Sequence, residues 1–320
     1  MRRFLIDTDT ASDDAVALVM ALRAPDVRVE AVTVVAGNVP LAQGVQNALY
    51  TVELCGSSAP VFAGRAAPLT RTLETAQQVH GRDGMGEIGL PLHGRRPAPG
   101  EAADVIVDAA RRWPGELTLV ALGPLTNLAV ALRREPRLAR EVGRCVVMGG
   151  ASDSVGNVTP VSEYNFWVDP EAAAAVLGAG LPLTLVGWDI SRKYAVLDAE
   201  AAARLREVGT PLARFCVDIQ NRVERFAREE MKLDGFDLPD PIAMAVALDP
   251  GVVTSSARLH VAVETSDGLC RGQTVVDRLG VLRREPNVDV VLAASRERFL
   301  ERLHAAVGDG RWPAQTESPS

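Results

Sequence analysis

Apolar and polar positions along the chain follow two alternating patterns. Five short runs are apolar nearly throughout, as expected for strands buried on both faces of a parallel sheet. These runs are RFLID, VEAVTVVAG, LTLVAL, RCVVMGG and LPLTLVG. Between them, apolar residues recur with helical spacing in residues 14–23, 41–55, 102–112, 125–134 and 170–177. This alternation predicts an α/β fold with a mostly parallel central sheet flanked by helices.

The last part of the chain has a different arrangement. Residues 197–230 are predicted to form helices rich in arginine and glutamate, and residues 242–248 a short apolar helix. The stretch RLHVAVETSDGLCRGQTVVDR predicts a β-hairpin, and NVDVVLAA predicts a last strand. Since no linker divides the chain, we expect one domain over residues 1–308. The polar segment 309–320 is expected to be a disordered tail.

Composition narrows the possible partners. The chain has 320 residues and a net charge of −7 without a basic stripe, which argues against a nucleic-acid partner. Its four cysteines are isolated, which predicts reduced thiols and a cytoplasmic location. The sequence shows no signal-peptide core and no membrane-spanning segment. Small, uncharged substrates fit this composition best.

Polar residues follow several of the predicted strands. Asp7 and Asp9 end the first strand, Asn38 follows the second, and GPLTN and GGASDSVGN follow the third and fourth. Ligands of parallel α/β sheets bind beyond the carboxyl ends of the strands. A binding site is therefore expected at this edge of the sheet.

The stretch FLIDTDTASDDAVALVMAL places Asp7, Asp9, Asp13 and Asp14 within eight residues. Helix capping, worth roughly 0.3–1 kcal/mol, explains one of the last two aspartates but not all four. Unit charges ~4 Å apart repel by about 4 kcal/mol at an effective dielectric near 20, so the cluster requires a cation or a shared proton. Oxygen ligands alone select Ca²⁺ or Mg²⁺ over zinc. Asp9 and Asp14 would then hold the ion and leave Asp13 free to act as a base, while Asp7 would be structural.

An apolar strand followed by D-x-D also begins the haloacid-dehalogenase-type phosphatases. Those enzymes carry Thr or Val two residues after the second aspartate, where this chain has Ala11. The additional pair Asp13 and Asp14 has no role in that scheme. The phosphatase is therefore the weaker alternative.

Several further motifs occur together with the acidic stretch: AVTVVAGN, VHGRDGMG, ALGPLTNLA, VVMGG, SEYNFWVDPEAA and DPIAMAVALDP. With them the sequence resembles the inosine-uridine-preferring nucleoside hydrolase family, from about residue 4 to about residue 293. The resemblance implies an open Rossmann-like core and a calcium-dependent hydrolase that cleaves the N-glycosidic bond of a ribonucleoside to give ribose and free base. It also implies a role in purine or pyrimidine salvage and a homodimer or homotetramer.

The resemblance further implies roles for individual residues. The metal ligands would be Asp9, Asp14, Asp240 and the backbone carbonyl of Leu122, and Asp13 would be the general base acting on a Ca-bound water. The substrate would be held by Asn38, Met148, Asn157, Glu163, Asn165 and Asp240. A base and a water on the face opposite the leaving group are what inverting glycoside hydrolysis requires. For Glu163 and Asn165, a half-exposed strand is the structural alternative.

The chain departs from the family pattern at two places. Thr10 and Ala11 stand where the family has Pro-Gly, and Pro239 stands where many members have a His, and others a Trp, before the last metal-binding aspartate. That His is associated with protonating or orienting the leaving base, so His80 is the best remaining imidazole for this role. A modified nucleoside or another N-riboside is therefore an alternative substrate. A catalytically inactive ribose-binding protein is disfavoured by the retained Asp13.

Overall fold

A nine-stranded sheet forms the centre of the computed structural model, which describes residues 1–153 and 155–308. The strands are β1 (Arg2–Thr8), β2 (Val27–Val34), β3 (Val61–Ala63), β4 (Leu117–Ala121), β5 (Arg144–Met148), β6 (Leu183–Val186), β7 (Val196–Leu197), β8 (Phe236–Asp237), β9 (Val253–Val263), β10 (Thr274–Asp277) and β11 (Val288–Ala294). Their order in the sheet is β10-β9-β11-β6-β5-β4-β1-β2-β3, and β7 pairs with β8 in a separate ladder.

Helices follow most of the strands. They are α1 (Ser12–Arg23), α2 (Leu41–Leu54), α3 (Gln77–His80), α4 (Ala102–Arg112), α5 (Thr126–Arg134), α6 (Leu138–Glu141), α7 (Tyr164–Val168), α8 (Pro170–Leu177), α9 (Trp188–Tyr194), α10 (Ala199–Glu207), α11 (Pro211–Asp218), α12 (Asn221–Glu229), α13 (Pro239–Leu248) and α14 (Arg296–Val307). A 3₁₀ turn at Pro250–Val252 precedes β9.

In the order of the sheet, the seven strands from β11 through β6, β5, β4, β1 and β2 to β3 are parallel to one another. Strand β9 is antiparallel to both of its neighbours, β11 and β10. The chain places β2 and β3 on one side of β1, and then β4, β5 and β6 on the other side. The strand order therefore reverses between β1 and β4. In open α/β sheets a binding crevice forms at such a reversal, outside the carboxyl ends of the strands.

The core lies on both faces of the sheet. In β1, Phe4 and Ile6 belong to one buried cluster, and Leu5 between them belongs to the cluster on the other face. This arrangement accounts for the unbroken apolar run of β1, since both faces of a covered parallel sheet exclude water. On the first face α1 packs against α13, which brings the first turns of these two helices together.

The predicted α/β fold, its five apolar strands, the hairpin and the last strand are confirmed. Predicted helix boundaries differ by up to three residues. The difference that matters for the site is at α13, which begins at Pro239 rather than at residue 242 and therefore has Asp240 in its first turn. The alternative of a half-exposed strand at Glu163 and Asn165 was also wrong, since this segment begins the buried helix α7. Among the described residues, no helix is both long and apolar enough to cross a membrane. The tail predicted at 309–320 lies outside the described residues.

Candidate active site

Asp9 directly follows β1, and backbone atoms of neighbouring loops enclose its side chain. The Asn38 amide donates to Asp9 Oδ2 at 2.6 Å. A Cβ at Gly37 would lie 2.1 Å from Oδ2, and one at Gly123 would lie 2.7 Å from Oδ1. Within the described residues, Oδ1 itself is buried without a hydrogen-bond partner. The glycines therefore leave this carboxylate just enough space, and one of its oxygens remains available.

Asp14 is held by the loop that leads into α1. Its Oδ1 accepts the hydroxyl proton of Thr8 at 2.5 Å, and its Oδ2 accepts from the Ala11 amide at 2.9 Å. Thr10, which takes the position of the family's Pro, has a φ of 33°. The Asn47 side chain donates to the Thr10 carbonyl at 2.9 Å and so holds this strained conformation. The altered loop thus keeps the carboxylate in place.

The structure brings three carboxylates together where α1 and α13 begin. One oxygen each from Asp13, Asp14 and Asp240 lies within 4.8 Å of the others, and all three residues are buried. Burial, followed by mutual repulsion, raises the pKa of Asp240 well above its usual range. Burial also raises the pKa of Asp14 to about 6, with the charge of Asp13 as the second cause. The cluster is therefore unfavourable unless a positive charge joins it.

A hard divalent ion fits this group. All ligands offered are oxygens, and Ca²⁺ binds oxygens at about 2.3–2.6 Å, so oxygens up to about 5 Å apart can share one ion. Asp14 and Asp240 were predicted as ligands and belong to the group. Among the described residues the third member is Asp13 rather than Asp9. The Leu122 carbonyl, the fourth predicted ligand, accepts from Asn165 Nδ2 at 2.7 Å.

Asp7, which we expected to be structural, is fully buried near the end of β1. Its Oδ1 accepts from the Thr33 hydroxyl at 2.6 Å and from the Asn127 amide at 2.8 Å. Burial raises the pKa of Asp7 to about 7, although both hydrogen bonds lower it. Asp7 therefore links β1 to its neighbour β2 and to the start of α5.

A pocket of about 250 Å³, here called the central pocket, opens above the carboxylate group. Nine of the residues predicted as site residues line it: Asp13, Asn38, His80, Leu122, Met148, Asn157, Glu163, Asn165 and Asp240. Asp9 and Asp14 lie below its floor and are fully buried. The edge-of-sheet argument accounts for Asn38 and Asn157 among them, whereas His80, Glu163, Asn165 and Asp240 were predicted from the family resemblance.

Glu163 organises one wall of the central pocket as the N-cap of α7. Its two carboxylate oxygens accept from the amides of Asn165 at 2.7 Å and of Gly150 at 2.7 Å. Burial nevertheless raises the pKa of Glu163 to about 7. Asn157 Oδ1 accepts from the Tyr164 amide at 2.9 Å. These bonds fix the polar side chains of the wall before any ligand binds.

His80, at the end of α3, connects the pocket to the first turn of α1. Its Nδ1 lies 3.1 Å from the Ser12 hydroxyl and 3.8 Å from Asp13 Oδ1. Burial lowers the pKa of His80 to about 4, against the raising effects of the nearby charges Asp14 and Asp237. The ring is therefore neutral at pH 7.

The sequence interpretation missed the largely apolar end of the central pocket. Trp188 follows β6 by two residues and lines the pocket. The expectation of a site beyond the carboxyl ends of the strands could have included it. The helix α12 was interpreted only through its arginines, whereas its side chains at the pocket are Val223, Phe226 and Ala227. Their i, i+3, i+4 spacing was the available signal. Asp237, whose Oδ2 accepts from the Ser191 hydroxyl at 2.7 Å, was also missed.

Gly123→Ala is expected to impair the function of this site more than it reduces stability. The new methyl group would meet Asp9 Oδ1 at 2.7 Å and displace the carboxylate. Gly178→Ala is the control, because Gly178 has an ordinary φ and its nearest atom, the Ala174 carbonyl oxygen, lies 3.3 Å from the added Cβ. Product formation and thermal unfolding are measured for both variants. Full activity in Gly123→Ala would show that the site does not depend on the position of Asp9.

Comparisons with known proteins agree with this fold. The family described as inosine-uridine preferring nucleoside hydrolase matches residues 4–301. The pyrimidine-specific ribonucleoside hydrolase RihA of Citrobacter koseri is 36% identical over 301 residues, covering 93% of this chain and 96% of its own. A plant nucleoside hydrolase structure, PpNRh1, has a TM-score of 0.91 at 32% identity and covers 96% of this chain and 99% of its own. The purine-preferring ribonucleoside hydrolase of Gardnerella vaginalis has a TM-score of 0.88 at 30% identity, with coverage of 96% and 98%.

Together with the match to the family model, the α/β sheet and the carboxylate group at its strand reversal place the chain in a metal-dependent class of nucleoside-cleaving hydrolases. The chain belongs to the inosine-uridine preferring nucleoside hydrolase family. It is thus an N-glycosidase, and the family reaction is the hydrolysis of ribonucleosides. Its similar proteins include one named pyrimidine-specific and one named purine-preferring, so their names do not define the base for this chain.

Proposed function

We propose that this protein hydrolyses the N-glycosidic bond of a ribonucleoside with the help of a Ca²⁺ ion, and that Asp13 is the general base. The observation that carries the proposal is the buried group Asp13, Asp14 and Asp240 at the floor of the central pocket. Asp9 and the Leu122 carbonyl complete the ligand set that the sequence predicted. When bound, the ion would neutralise the carboxylates and polarise the water and the ribose hydroxyls near it.

Asp13 is the carboxylate best placed to accept a proton. Both oxygens of Asp14 already accept hydrogen bonds, and Asp9 does not line the central pocket. Asp13 does line it, and within the described chain its Oδ1 has no hydrogen-bond partner. Burial raises the pKa of Asp13 to about 6, close to the range in which a general base works well at neutral pH. In this proposal Asp13 takes one proton of the attacking water, and the water oxygen bonds to C1′ as the C1′–N bond breaks. The base leaves with the electron pair of that bond and then takes up a proton.

The polar wall of the central pocket would bind the ribose. Asn38, Asn157, Glu163 and Asn165 surround it together with Met148. The backbone amides that hold Glu163 leave a fixed acceptor for ribose hydroxyls, and Asp240 faces the same space. Correctly oriented groups reduce the entropic part of the barrier. The apolar end with Trp188 and Phe226 would then receive the base.

The experiment that tests this proposal is a ribonucleoside panel, including modified bases, assayed for free ribose with and without a chelator. We expect ribose from at least one nucleoside, loss of activity after chelation, and recovery on addition of CaCl₂. The melting temperature should also rise with CaCl₂, because an ion that binds only the folded state stabilises it. In Asp240→Ala this rise should shrink or vanish. Activity unaffected by chelation would rule out the role given to the ion.

We also propose that the protein forms a homodimer or homotetramer, and that it acts in cytoplasmic salvage of purines or pyrimidines. The edge strand β10 supports the assembly, because exposed apolar side chains lie on it and just after it. Leu279 is 88% exposed and Val281 is 73% exposed. We expect Leu279→Glu with Val281→Glu to lower the molar mass measured by light scattering relative to wild type. A wild-type mass equal to one chain would refute the assembly.

A further inference from the structure

Ser12, His80 and Gln220 form a buried chain of hydrogen bonds that no catalytic role so far explains. The Ser12 hydroxyl lies 3.1 Å from His80 Nδ1 and 3.0 Å from Gln220 Oε1. Gln220 Nε2 donates to the Ser12 carbonyl at 2.9 Å. Ser12 is fully buried and Gln220 is 1% exposed. Water therefore does not replace these partners, and the protons of the chain are assignable from donor and acceptor chemistry.

The backbone carbonyl of Ser12 fixes the amide of Gln220. A carbonyl oxygen only accepts, so the group that faces it at 2.9 Å must be the NH₂ of the side chain. The amide oxygen Oε1 then faces the Ser12 hydroxyl. Since Oε1 also only accepts, Ser12 donates its single hydroxyl proton to Gln220.

The orientation of Ser12 in turn decides which nitrogen of His80 carries the proton. With its own proton given to Gln220, the Ser12 oxygen can interact with His80 only as an acceptor, so Nδ1 must be the N–H donor. The carboxylate oxygen of Asp13, 3.8 Å from Nδ1, favours the same placement because a negative charge attracts the N–H dipole.

We propose that Ser12 and Gln220 are positioning residues that hold His80 as its Nδ1–H tautomer, so that Nε2 presents a lone pair to the central pocket and accepts a hydrogen bond from an N–H group of the substrate's base. His80 lines the central pocket. Its Nδ1 is engaged by Ser12, so Nε2 is the ring nitrogen that remains to bind a ligand. The part that concerns the base rests on the proposed function.

This inference defines the class of base that the pocket favours. A neutral imidazole protonated at Nδ1 cannot donate from Nε2, so His80 would recognise the base rather than protonate it. Bases with an imide or amide N–H, such as uracil or hypoxanthine, offer the required donor. A methyl group on that nitrogen removes the donor and leaves a buried acceptor without a partner, which is unfavourable.

NMR of the protein labelled with ¹⁵N-histidine tests the tautomer directly. The His80 signals are assigned by comparison with His80→Gln. We expect Nδ1 to have the shift of a protonated ring nitrogen and Nε2 that of an unprotonated one. In Ser12→Ala and in Gln220→Met the two shifts should move toward a mixture of tautomers, and Ser12→Thr, which keeps the hydroxyl, should retain the wild-type shifts. A protonated Nε2, or shifts unchanged in both Ser12→Ala and Gln220→Met, would overturn the inference whether or not nucleosides are hydrolysed.

Kinetics with matched substrates tests the acceptor role. The set is uridine, 3-methyluridine and 5-methyluridine, together with inosine and 1-methylinosine. We expect N-methylation to lower kcat/KM by about tenfold or more in wild type. The control 5-methyluridine carries the same methyl but keeps N3–H, and should lose less. His80→Ala should abolish most of this discrimination. Discrimination that persists in His80→Ala would refute the acceptor role. Absence of any hydrolysis across the panel would refute the proposed function instead, and the tautomer result would stand by itself.

Discussion

Asp13→Asn is expected to lower kcat on the best ribonucleoside by about 10²- to 10⁴-fold, the usual effect of losing a general base. The amide has nearly the same shape as the carboxylate but cannot take up a proton. Because Asp13 lies in the first turn of α1 and its Oδ1 has no hydrogen-bond partner in the described residues, the substitution should leave the fold intact. The measurement is steady-state kinetics together with the rise in melting temperature caused by CaCl₂.

Two further variants make this result specific. Asp9→Asn changes another aspartate that has, within the described residues, a buried oxygen without a hydrogen-bond partner. Asp108→Asn changes an exposed aspartate of α4. Asp108→Asn should match wild type. If Asp9→Asn loses turnover while it keeps the calcium effect, and Asp13→Asn stays within a few-fold of wild type, then Asp9 is the base and the assignment of Asp13 is wrong.

Nitrophenyl riboside is expected to be hydrolysed at least about 10²-fold more efficiently than inosine, measured as the ratio of kcat/KM values. Cleavage is helped at the sugar by stabilising positive charge and at the base by protonating it. The residues proposed to bind the sugar line the central pocket, whereas Pro239 has no side-chain proton to donate. General acid catalysis typically contributes 10²- to 10⁴-fold, and nitrophenolate leaves without it. Similar kcat/KM values for the two substrates would show that another group assists the leaving base.

Pro239→His tests the same point by gain of function. Pro239 is the first residue of α13. Backbone amides in the first turn of a helix have no intrahelical hydrogen-bond partner, so the amide that His introduces at this position needs none. The variant should raise kcat/KM on inosine and leave that on nitrophenyl riboside nearly unchanged, while Pro239→Ala should improve neither.

His80→Ala should lower only the kcat/KM value for inosine, because nitrophenyl riboside offers no N–H to Nε2. An equal loss on both substrates would place His80 at the sugar instead.

The sequence alone determined the framework of the fold and the concentration of carboxylates at the end of its first strand. Apolar runs such as that of β1 showed which strands are buried on both faces, and this information is local because side chains alternate along a strand. The density of carboxylates from Asp7 to Asp14 was likewise visible without a structure, and it indicated a cation. The motifs of the family then added Asp240 and Glu163, which no local pattern connects with that cluster.

The tertiary structure decided how these parts meet. That Asp13, Asp14 and Asp240 share one space follows from the packing of α1 against α13, which joins positions more than two hundred residues apart. The apolar end of the pocket, with Trp188 and Phe226, and the chain from Gln220 through Ser12 to His80 likewise depend on contacts between distant segments. The periodicity of a sequence records which side of an element is buried, because water is excluded from that side. It does not record which distant side chain lies opposite, since that choice is made only when the elements pack together.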